Sequence, residues 1–418
     1  MSAPSVCVVG LGYVGLPLAV ALAESGVPVV GFDVDPRRIA ELQAGRSGIE
    51  DVPDSAVALP GLSFTLRPPD IAGCQTYVLC VPTPLREGMP DLTAVESAAR
   101  TVAEVLRPGD LVVLESTTYP GTTEEVVGPL LDAGSGLLAA GRDYLLAYSP
   151  ERIDPGNPTY GIRNTPKVVG GVDAMSTQAA VSFYARICDT VVQVDGTREA
   201  EMAKLLENTF RHVNIALVNE MAVFCRELDI DLWKVIEAAR TKPFGFMPFF
   251  PGPGVGGHCI PVDPSYLSWR VRKMGFTFRF VELAQEINAQ MPSYVVTRLG
   301  DLLNQAGLAL SRSRVLCLGA AYKPGISDCR ESPAIEVMRR LRRKGVQICY
   351  ADPFVATVTL DSEVVTATAL DAAAVSAADA VVVLTPHEQF DLELVRQHAS
   401  LVLDTRAAVA AGGNVFRL

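Results

Sequence analysis

SVCVVGLGYVGLPLAVALAESG, residues Ser5–Gly26, is the stretch on which the fold is decided. Its first five residues are apolar and largely β-branched, Gly10, Gly12 and Gly15 follow at G-x-G-x-x-G spacing, and a helix-like run begins at Leu16. In the context of strand, turn and helix, those glycines permit a tight turn, close approach of backbone to a pyrophosphate, and close packing of the helix. The next apolar run, Val27–Phe32, ends at Asp33, where a carboxylate can accept hydrogen bonds from an adenosine ribose and repel a 2′-phosphate. NAD is therefore expected over NADP, although Arg37 and Arg38 keep NADP open. The competing explanation is a glycine turn in a fold that has lost its cofactor.

Working outward, apolar runs at Thr76–Val81 and Leu111–Glu115 alternate with helical patterns such as Asp91–Leu106. Tyr144–Ala147 and Val191–Val194 read as further short strands around a helix at Ala174–Ile187. The alternation predicts an α/β domain with a parallel sheet, closing near residue 195. Thr197–Leu228 then carries helical spacing without Gly or Pro, and no strand-like run follows before Val315. A helix of that length between α/β halves suits a dimer seam. Leu232–Ala239 and Phe280–Leu303 are further helical patterns flanking Thr241–Pro264, a loop so rich in Gly, Pro and Phe that no regular element is expected in it.

From Arg314 a second alternating segment repeats the first: a strand at VLCLG, a helix from Ser332, and strands at Gln347–Tyr350, Ala380–Leu384 and Leu401–Leu403. Gly319 is followed by AAYKPG rather than a second glycine fingerprint, so this half is expected to bind something other than a dinucleotide. The organisation expected is two Rossmann-like domains, residues 1–195 and 301–418, joined by a helical region, 196–300, with a long helix.

The 418 residues carry a formal net charge of -11, which disfavours non-specific attraction to nucleic acid or anionic lipid. No signal peptide and no membrane-length apolar run is apparent, and nine scattered cysteines fit reduced thiols. A cytoplasmic enzyme is expected.

Two further constellations carry chemistry. Cys259 lies in GPGVGGHCIPVDP, bracketed by glycines and by His258 and Asp263, where a thiol can serve as nucleophile if its surroundings favour the thiolate. A buried structural cysteine is the alternative, and adjacent His258 and Cys259 lack the second ligand pair a zinc site needs, so no metal is expected. Lys204 and Asn208, one turn apart on the long helix, can present an ammonium and an amide to a reacting oxygen, or form an ordinary solvated face. Glu151, in SPERIDPG after a predicted strand, is a candidate base or a plain loop carboxylate.

These pieces, with STTYPGT at Ser116–Thr122, KLLEN at Lys204–Asn208 and AYKPGISDCRESP at Ala321–Pro333, resemble in order the nucleotide-sugar 6-dehydrogenases of the UDP-glucose and UDP-N-acetylhexosamine family. The resemblance implies an N-terminal NAD-binding domain, a central dimerisation region making a homodimer, and a C-terminal domain for the nucleotide diphosphate. It implies a four-electron oxidation of a sugar C6 alcohol to a uronic acid through a thiohemiacetal and a thioester on Cys259. Lys204 would stabilise oxyanion charge, Asn208 and Asp263 would position oxygen or water, Glu151 would be the base for hydrolysis, and Thr117 would order water and cofactor. The cofactor would meet Gly10, Gly12, Tyr13, Val14, Gly15, Asp33, Arg38, Thr83, Ser116, Thr117 and Arg330. The sugar nucleotide would meet Glu151, Arg152, Lys204, Asn208, Gly256 and Lys323.

SPERIDPG and GHC resemble the N-acetylhexosamine branch and KPFGFMPFFPGPG resembles the UDP-N-acetylglucosamine 6-dehydrogenases most, leaving UDP-glucose, UDP-N-acetylmannosamine and TDP-glucose as alternatives. The arginine that many relatives carry in the loop is absent between Lys242 and Pro253, and Arg406 in DTRAA lacks the usual following Asn. A hydroxyacid dehydrogenase of the 6-phosphogluconate type would need neither the Cys259 loop nor the second α/β segment. A silent nucleotide-sugar binding protein would be expected to lose Cys259 or Lys204.

Overall fold

The computed structural model describes residues 6–49, 51–86, 88–137, 139–154, 157, 159–257 and 259–418, with Cys259 described by its backbone. The strand–turn–helix at the N-terminus opens a sheet of eight strands: β1 (Val6–Val9), β2 (Val29–Phe32), β3 (Leu62–Thr65), β4 (Thr76–Leu79), β5 (Leu111–Leu114), β6 (Leu145–Tyr148), β7 (Lys167–Gly171) and β8 (Val191–Gln193). Their order is β8-β7-β6-β5-β4-β1-β2-β3. The six strands from β3 to β6 are parallel in the 3-2-1-4-5-6 order of dinucleotide-binding folds. Alternate residues of β1 serve two cores, Val6 and Val8 on one face and Cys7 and Val9 on the other, as a sheet covered on both faces requires.

β7 pairs antiparallel with β6, and β8 lies parallel to β7, so the last two strands run against the rest. Among the described residues between β6 and β7 there is no helix to make a crossover, and an antiparallel return needs none. Neither β3 nor β7 was expected from the sequence.

The long helix spans Thr197–Glu227. It stops where Asp229 turns left-handed with φ 56° and the Ile230 amide reaches back to the Cys225 carbonyl, a Schellman-type ending. Asp231 then caps Leu232–Ala239 by accepting from the Lys234 amide. The sequence expectation that no regular element persists in Thr241–Pro264 is corrected: a helix, Cys259–Lys273, starts inside it. Pro261 falls in its first turn, where amides have no intrahelical acceptor, so the residue that reads as a breaker costs nothing there. The helix Arg279–Gln305 follows.

A second sheet contains β9 (Arg314–Leu318), β10 (Gln347–Ala351), β11 (Ala380–Val383), β12 (Val402–Asp404) and β13 (Val415–Arg417), all parallel in the order β10-β9-β11-β12-β13. An antiparallel hairpin, Thr357–Leu360 with Glu363–Thr366, turns through Asp361 and Ser362, both at positive φ. The chain forms two compact units, Met1–Glu207 with Ser265–Gly275 and Asn208–Pro264 with Phe276–Leu418. No described helix is long and apolar enough to cross a membrane.

Candidate active site

The glycine turn is built for close approach. A Cβ on Gly10 would lie 2.6 Å from the Cys80 carbonyl oxygen, and one on Gly15 would lie 1.8 Å from that of Gly10, so both glycines are needed to close the turn. Gly12 differs: nothing lies within 4 Å of its added Cβ, so the space it keeps open faces outward. Asp33 accepts the Leu11 amide on Oδ2 at 2.8 Å and the Asp35 amide on Oδ1 at 3.0 Å, which aims the carboxylate beside the turn and leaves acceptor capacity for a ribose. Arg38 donates to the carbonyls of Leu11 and Ser47, and Arg37 is an exposed partner of Asp35. Arg38 is thereby tied to the turn's own backbone, while Arg37 is occupied by a neighbour. A bare open cradle with a ribose-facing acid fits NAD.

Beyond the parallel strands, Ser116 donates inward to the Val81 carbonyl at 2.7 Å, Thr83 is buried, Tyr13 is exposed, and Val14 and Thr117 are half-buried. The Thr118 hydroxyl is fully buried and finds no partner among the described residues. Glu201, on the long helix, accepts from the amides of Gly121 and Thr123 and from the Thr123 hydroxyl, pinning the turn that follows Thr117. Burial pushes its carboxyl up to about 7 against those three donors.

Lys204 is buried and donates to the Glu151 backbone carbonyl. It is not part of a solvated face. The Glu151 carboxylate accepts the amides of Arg152 and Ile153, each at 2.6 Å, and lies 3.4 Å from Lys167 Nζ. Burial raises its carboxyl, but Lys167, the two amides and Lys204 outweigh burial and hold it below the usual carboxylate range. Arg152 forks onto Glu207 and donates to the Pro166 carbonyl. Lys167 also bridges to Glu115 at 3.1 Å, and the Tyr184 hydroxyl donates to Glu115.

In the second unit Asn208 Nδ2 donates to Asp263 Oδ2 at 2.6 Å, both residues being buried. His258 and the Cys259 side chain lie outside the described residues. The loop before them is glycine-rich for packing reasons that are visible residue by residue. A Cβ on Gly252 would meet the Arg406 guanidinium at 2.5 Å, and one on Gly256 would meet Tyr322 Cβ at 2.6 Å. Gly257 donates its amide to the Arg330 carbonyl at 3.1 Å. The loop is also held by Asn219, which accepts the Gly252 amide and donates to Asn288, itself a donor to the His212 carbonyl. Arg330 pairs with Asp328.

A cavity of about 770 Å³ in this unit is lined by Trp233, Lys234, Phe250, Tyr322, Lys323, Arg406 and Arg417, among others. Trp233 and Phe250 stack with ring centroids 5.5 Å apart, and the cations outnumber the single lining carboxylate, Glu237. Aromatic faces with clustered cations suit a nucleotide base and a diphosphate. Arg406 donates to the Leu384 carbonyl, and burial lowers its guanidinium to about 10, opposed by Asp404. The turn bearing Lys323 is fixed from beneath: His387 accepts the Gly325 amide on Nδ1, so its Nε2–H donates to Asp352 at 3.1 Å. Asp352 further accepts the amides of Ala320, Ala321, Phe354 and Val355.

Sequence reasoning missed Glu115, Lys167 and Tyr184, which are far apart in the chain, and Arg417 and Trp233 in the cavity. KVVGG at Lys167–Gly171 did carry a strand signal. Among the described residues no three His, Cys, Asp or Glu side chains gather as a metal site.

The turn, the acid and the cavity define a dinucleotide-linked protein with a second, nucleotide-sized cleft in its other α/β unit. Residues 4–188, 198–290 and 316–411 match, respectively, the NAD binding domain, the central domain and the UDP binding domain of the UDP-glucose/GDP-mannose dehydrogenase family, and the chain belongs to that family. A UDP-N-acetyl-D-glucosamine 6-dehydrogenase of Pseudomonas aeruginosa is 38% identical over 353 residues, 84% of this chain and 83% of that one. A UDP-N-acetyl-D-mannosamine dehydrogenase of Pyrococcus horikoshii is 36% identical over 391 residues, 92% and 90% of the two chains. A solved structure of a UDP-D-ManNAc dehydrogenase from Pyrococcus horikoshii superposes with TM-score 0.88 at 33% identity, covering 99% of this chain and 98% of that one. The chain is thus an NAD-dependent oxidoreductase of nucleotide-sugar type.

Proposed function

We propose that the chain oxidises the C6 hydroxyl of UDP-N-acetylglucosamine to the carboxylate in two NAD-linked steps through a covalent adduct on Cys259. The observation that carries this reading is the cation- and aromatic-lined cavity to which the part of the chain matching a UDP binding domain contributes Tyr322, Lys323 and Arg406, and the part matching the central domain contributes Trp233 and Phe250. NAD, held at Gly10, Gly12, Gly15 and Asp33, supplies hydride acceptance when bound. Residues 1–195 serve the cofactor, 196–300 assembly and the cysteine loop, and 301–418 the nucleotide.

Cys259 adds as thiolate to the C6 aldehyde, and the adduct keeps the aldehyde from escaping between oxidations. Lys204, buried on the long helix, stabilises the oxyanion formed on attack, and Asn208 with Asp263 orients the oxygen or water. Thr117 orders water near the sugar. In hydrolysis, water attacks the thioester carbon, Glu151 takes its proton, and the C–S bond breaks to return the thiolate. Lys323, with Arg152 and Gly256, serves the sugar nucleotide, and Arg330 the cofactor side. UDP-N-acetylmannosamine is the second reading, favoured by the relative that spans more of the chain.

A homodimer accompanies this function. Leu206, Phe210, Leu217 and Phe224 are exposed along one stripe of the long helix at coiled-coil spacing, an apolar seam suited to a second copy.

The test is NADH production with UDP-glucose, UDP-N-acetylglucosamine, UDP-N-acetylmannosamine and TDP-glucose. Two NADH per sugar with UDP-N-acetylglucosamine preferred is the expected result. One NADH per sugar, or binding without NADH on any of the four, would refute it.

A further inference from the structure

Glu115, Lys167 and Tyr184 form a cluster that the scheme above does not use, and its composition is odd for a purely structural device. Lys167 is buried on β7, Glu115 is buried at the end of β5, and Tyr184 is fully buried at the end of the helix Ala174–Tyr184. Replacing a buried ion pair by apolar residues often leaves stability unchanged or improved, so stability alone does not account for it. Nor is the charge balanced: one ammonium serves two carboxylates, Glu115 at 3.1 Å and Glu151 at 3.4 Å. The cluster is dry as well, since the adjoining cavity, lined by Glu151, Lys167, Tyr184 and Cys188 among others, measures only about 10 Å³, room for no more than one water.

The arrangement has direction. Glu115 is sealed, with its second partner the Tyr184 hydroxyl, whereas the Glu151 side chain keeps 14% exposure. Glu151 is therefore the outer end. Its main-chain carbonyl is held by Lys204 and its carboxylate by Lys167, so both ends of the residue are clamped. Lys167 also sits 5.0 Å from the centroid of the Tyr184 ring, which fixes the ammonium laterally.

We propose that Lys167, steadied by Glu115 and Tyr184, is a positioning residue that holds Glu151 in place and in its carboxylate form for hydrolysis of the thioester. This rests on Glu151 being the base of that step. The groups facing Glu151 are Lys167 from β7, Glu115 from β5, Lys204 from the long helix and Tyr184 from its helix. Cys80 and Cys188 adjoin the cluster as neutral thiols, pushed up by burial. Arg152 is spoken for by Glu207. Among the side chains named, Lys167 and Lys204 favour the Glu151 anion and Lys167 is the one in contact with its carboxylate, beside the backbone amides of Arg152 and Ile153. Glu115 opposes it, and its own carboxyl is raised by burial, with Lys167 pulling the other way.

The two members should therefore act with opposite sign. Lys167→Met removes the favourable charge, and the acid limb of the second half-reaction should move up by at least one pH unit. Acyl-enzyme should accumulate, seen by mass spectrometry after rapid quench, while the first hydride transfer keeps its rate. Lys167→Arg should restore hydrolysis to within a few fold. Glu115→Gln removes the opposing charge and should move the same limb down. The measurements are kcat against pH, NADH per sugar and the trapped adduct, alongside thermal melting. A folded Lys167→Met protein with an unmoved limb and no adduct overturns the proposal, as do shifts of the same sign in both variants. Should Lys167→Met fail to fold, Glu115→Gln decides, and an unmoved limb there overturns it. Wild type giving a single NADH and no adduct would refute the four-electron reading itself, a result distinct from these.

Discussion

Gly12 and Gly15 belong to one fingerprint yet should fail differently when given a methyl group. In Gly15→Ala the Cβ would sit 1.8 Å from the Gly10 carbonyl oxygen, and because contacts under 3.0 Å do not persist, the start of the helix must move by at least about 1.2 Å. Overpacking of that kind costs on the order of 3 kcal/mol, which at about 2–4 °C per kcal/mol lowers the melting temperature of a unit this size by roughly 6–12 °C. Gly12→Ala meets nothing within 4 Å and needs no positive φ, so the ligand-free protein should melt within about a degree of wild type. Its methyl group instead occupies the space into which a pyrophosphate must come. Loss of one charge-assisted hydrogen bond, about 1.5–3 kcal/mol, weakens NAD roughly 10- to 150-fold. Scanning calorimetry without ligand and calorimetric titration with NAD separate the two. Gly12→Ala that binds NAD as wild type does, or that melts as low as Gly15→Ala without ligand, would refute the assignment of that space to the cofactor.

Cys259→Ser should keep the fold and lose complete turnover by at least about a thousandfold, because a hydroxyl is hardly ionised where a thiol can be; uronic acid formed at near wild-type rate would remove the thioester from the mechanism. Glu201 carries a pH signature: its carboxyl is raised to about 7 from 4.5, so its contribution to stability is complete below pH 4.5 and is lost as pH rises through 7, a change of about 3 kcal/mol. Glu201→Gln does not titrate, so its melting temperature relative to wild type should rise between pH 5 and pH 8, and a flat difference would show an ordinary carboxyl. Leu217→Asp with Phe224→Asp puts charge on the exposed stripe and should yield monomers by light scattering at micromolar concentration, with the melting temperature of the individual units retained.

Much of this molecule could be foreseen where the determining residues are neighbours in the chain. The strand, glycines and helix of Val6–Glu24 satisfy one another locally, and the 31-residue helix announces itself by spacing alone. Four strands of the second sheet likewise follow from their apolar runs, whereas Val415–Arg417 was not expected. What escaped notice depends on distant partners. Lys167 and Glu115 each read as an ordinary charge until the sheet sets their strands two apart, and Glu201 has no visible purpose until it meets the Gly121–Thr123 turn. Pro261 misled in the cysteine loop because a residue hostile to helix interiors is harmless in a first turn, and the helix also runs on through Pro264. The antiparallel return at β7 was hidden for a similar reason, since direction is set by the connection rather than by the strand's own residues.

The two α/β units use the same carbon copy of one contact and have taken it in opposite directions. In each, an acid at the end of the second strand accepts an amide of the turn after the first: Asp33 from Leu11, and Asp352 from Ala320. Asp33 spends two of its acceptor positions on backbone. Asp352 receives four amides and the His387 imidazole, which exhausts the roughly four lone-pair positions of a carboxylate. A ribose arriving at the second unit would find the Asp352 carboxylate already spent. Repetition of a topology thus need not repeat a specificity: by turning one side chain inward and saturating it, the second unit keeps the scaffold, forfeits the dinucleotide, and frees the neighbouring Tyr322–Gly325 turn to line a cleft of its own.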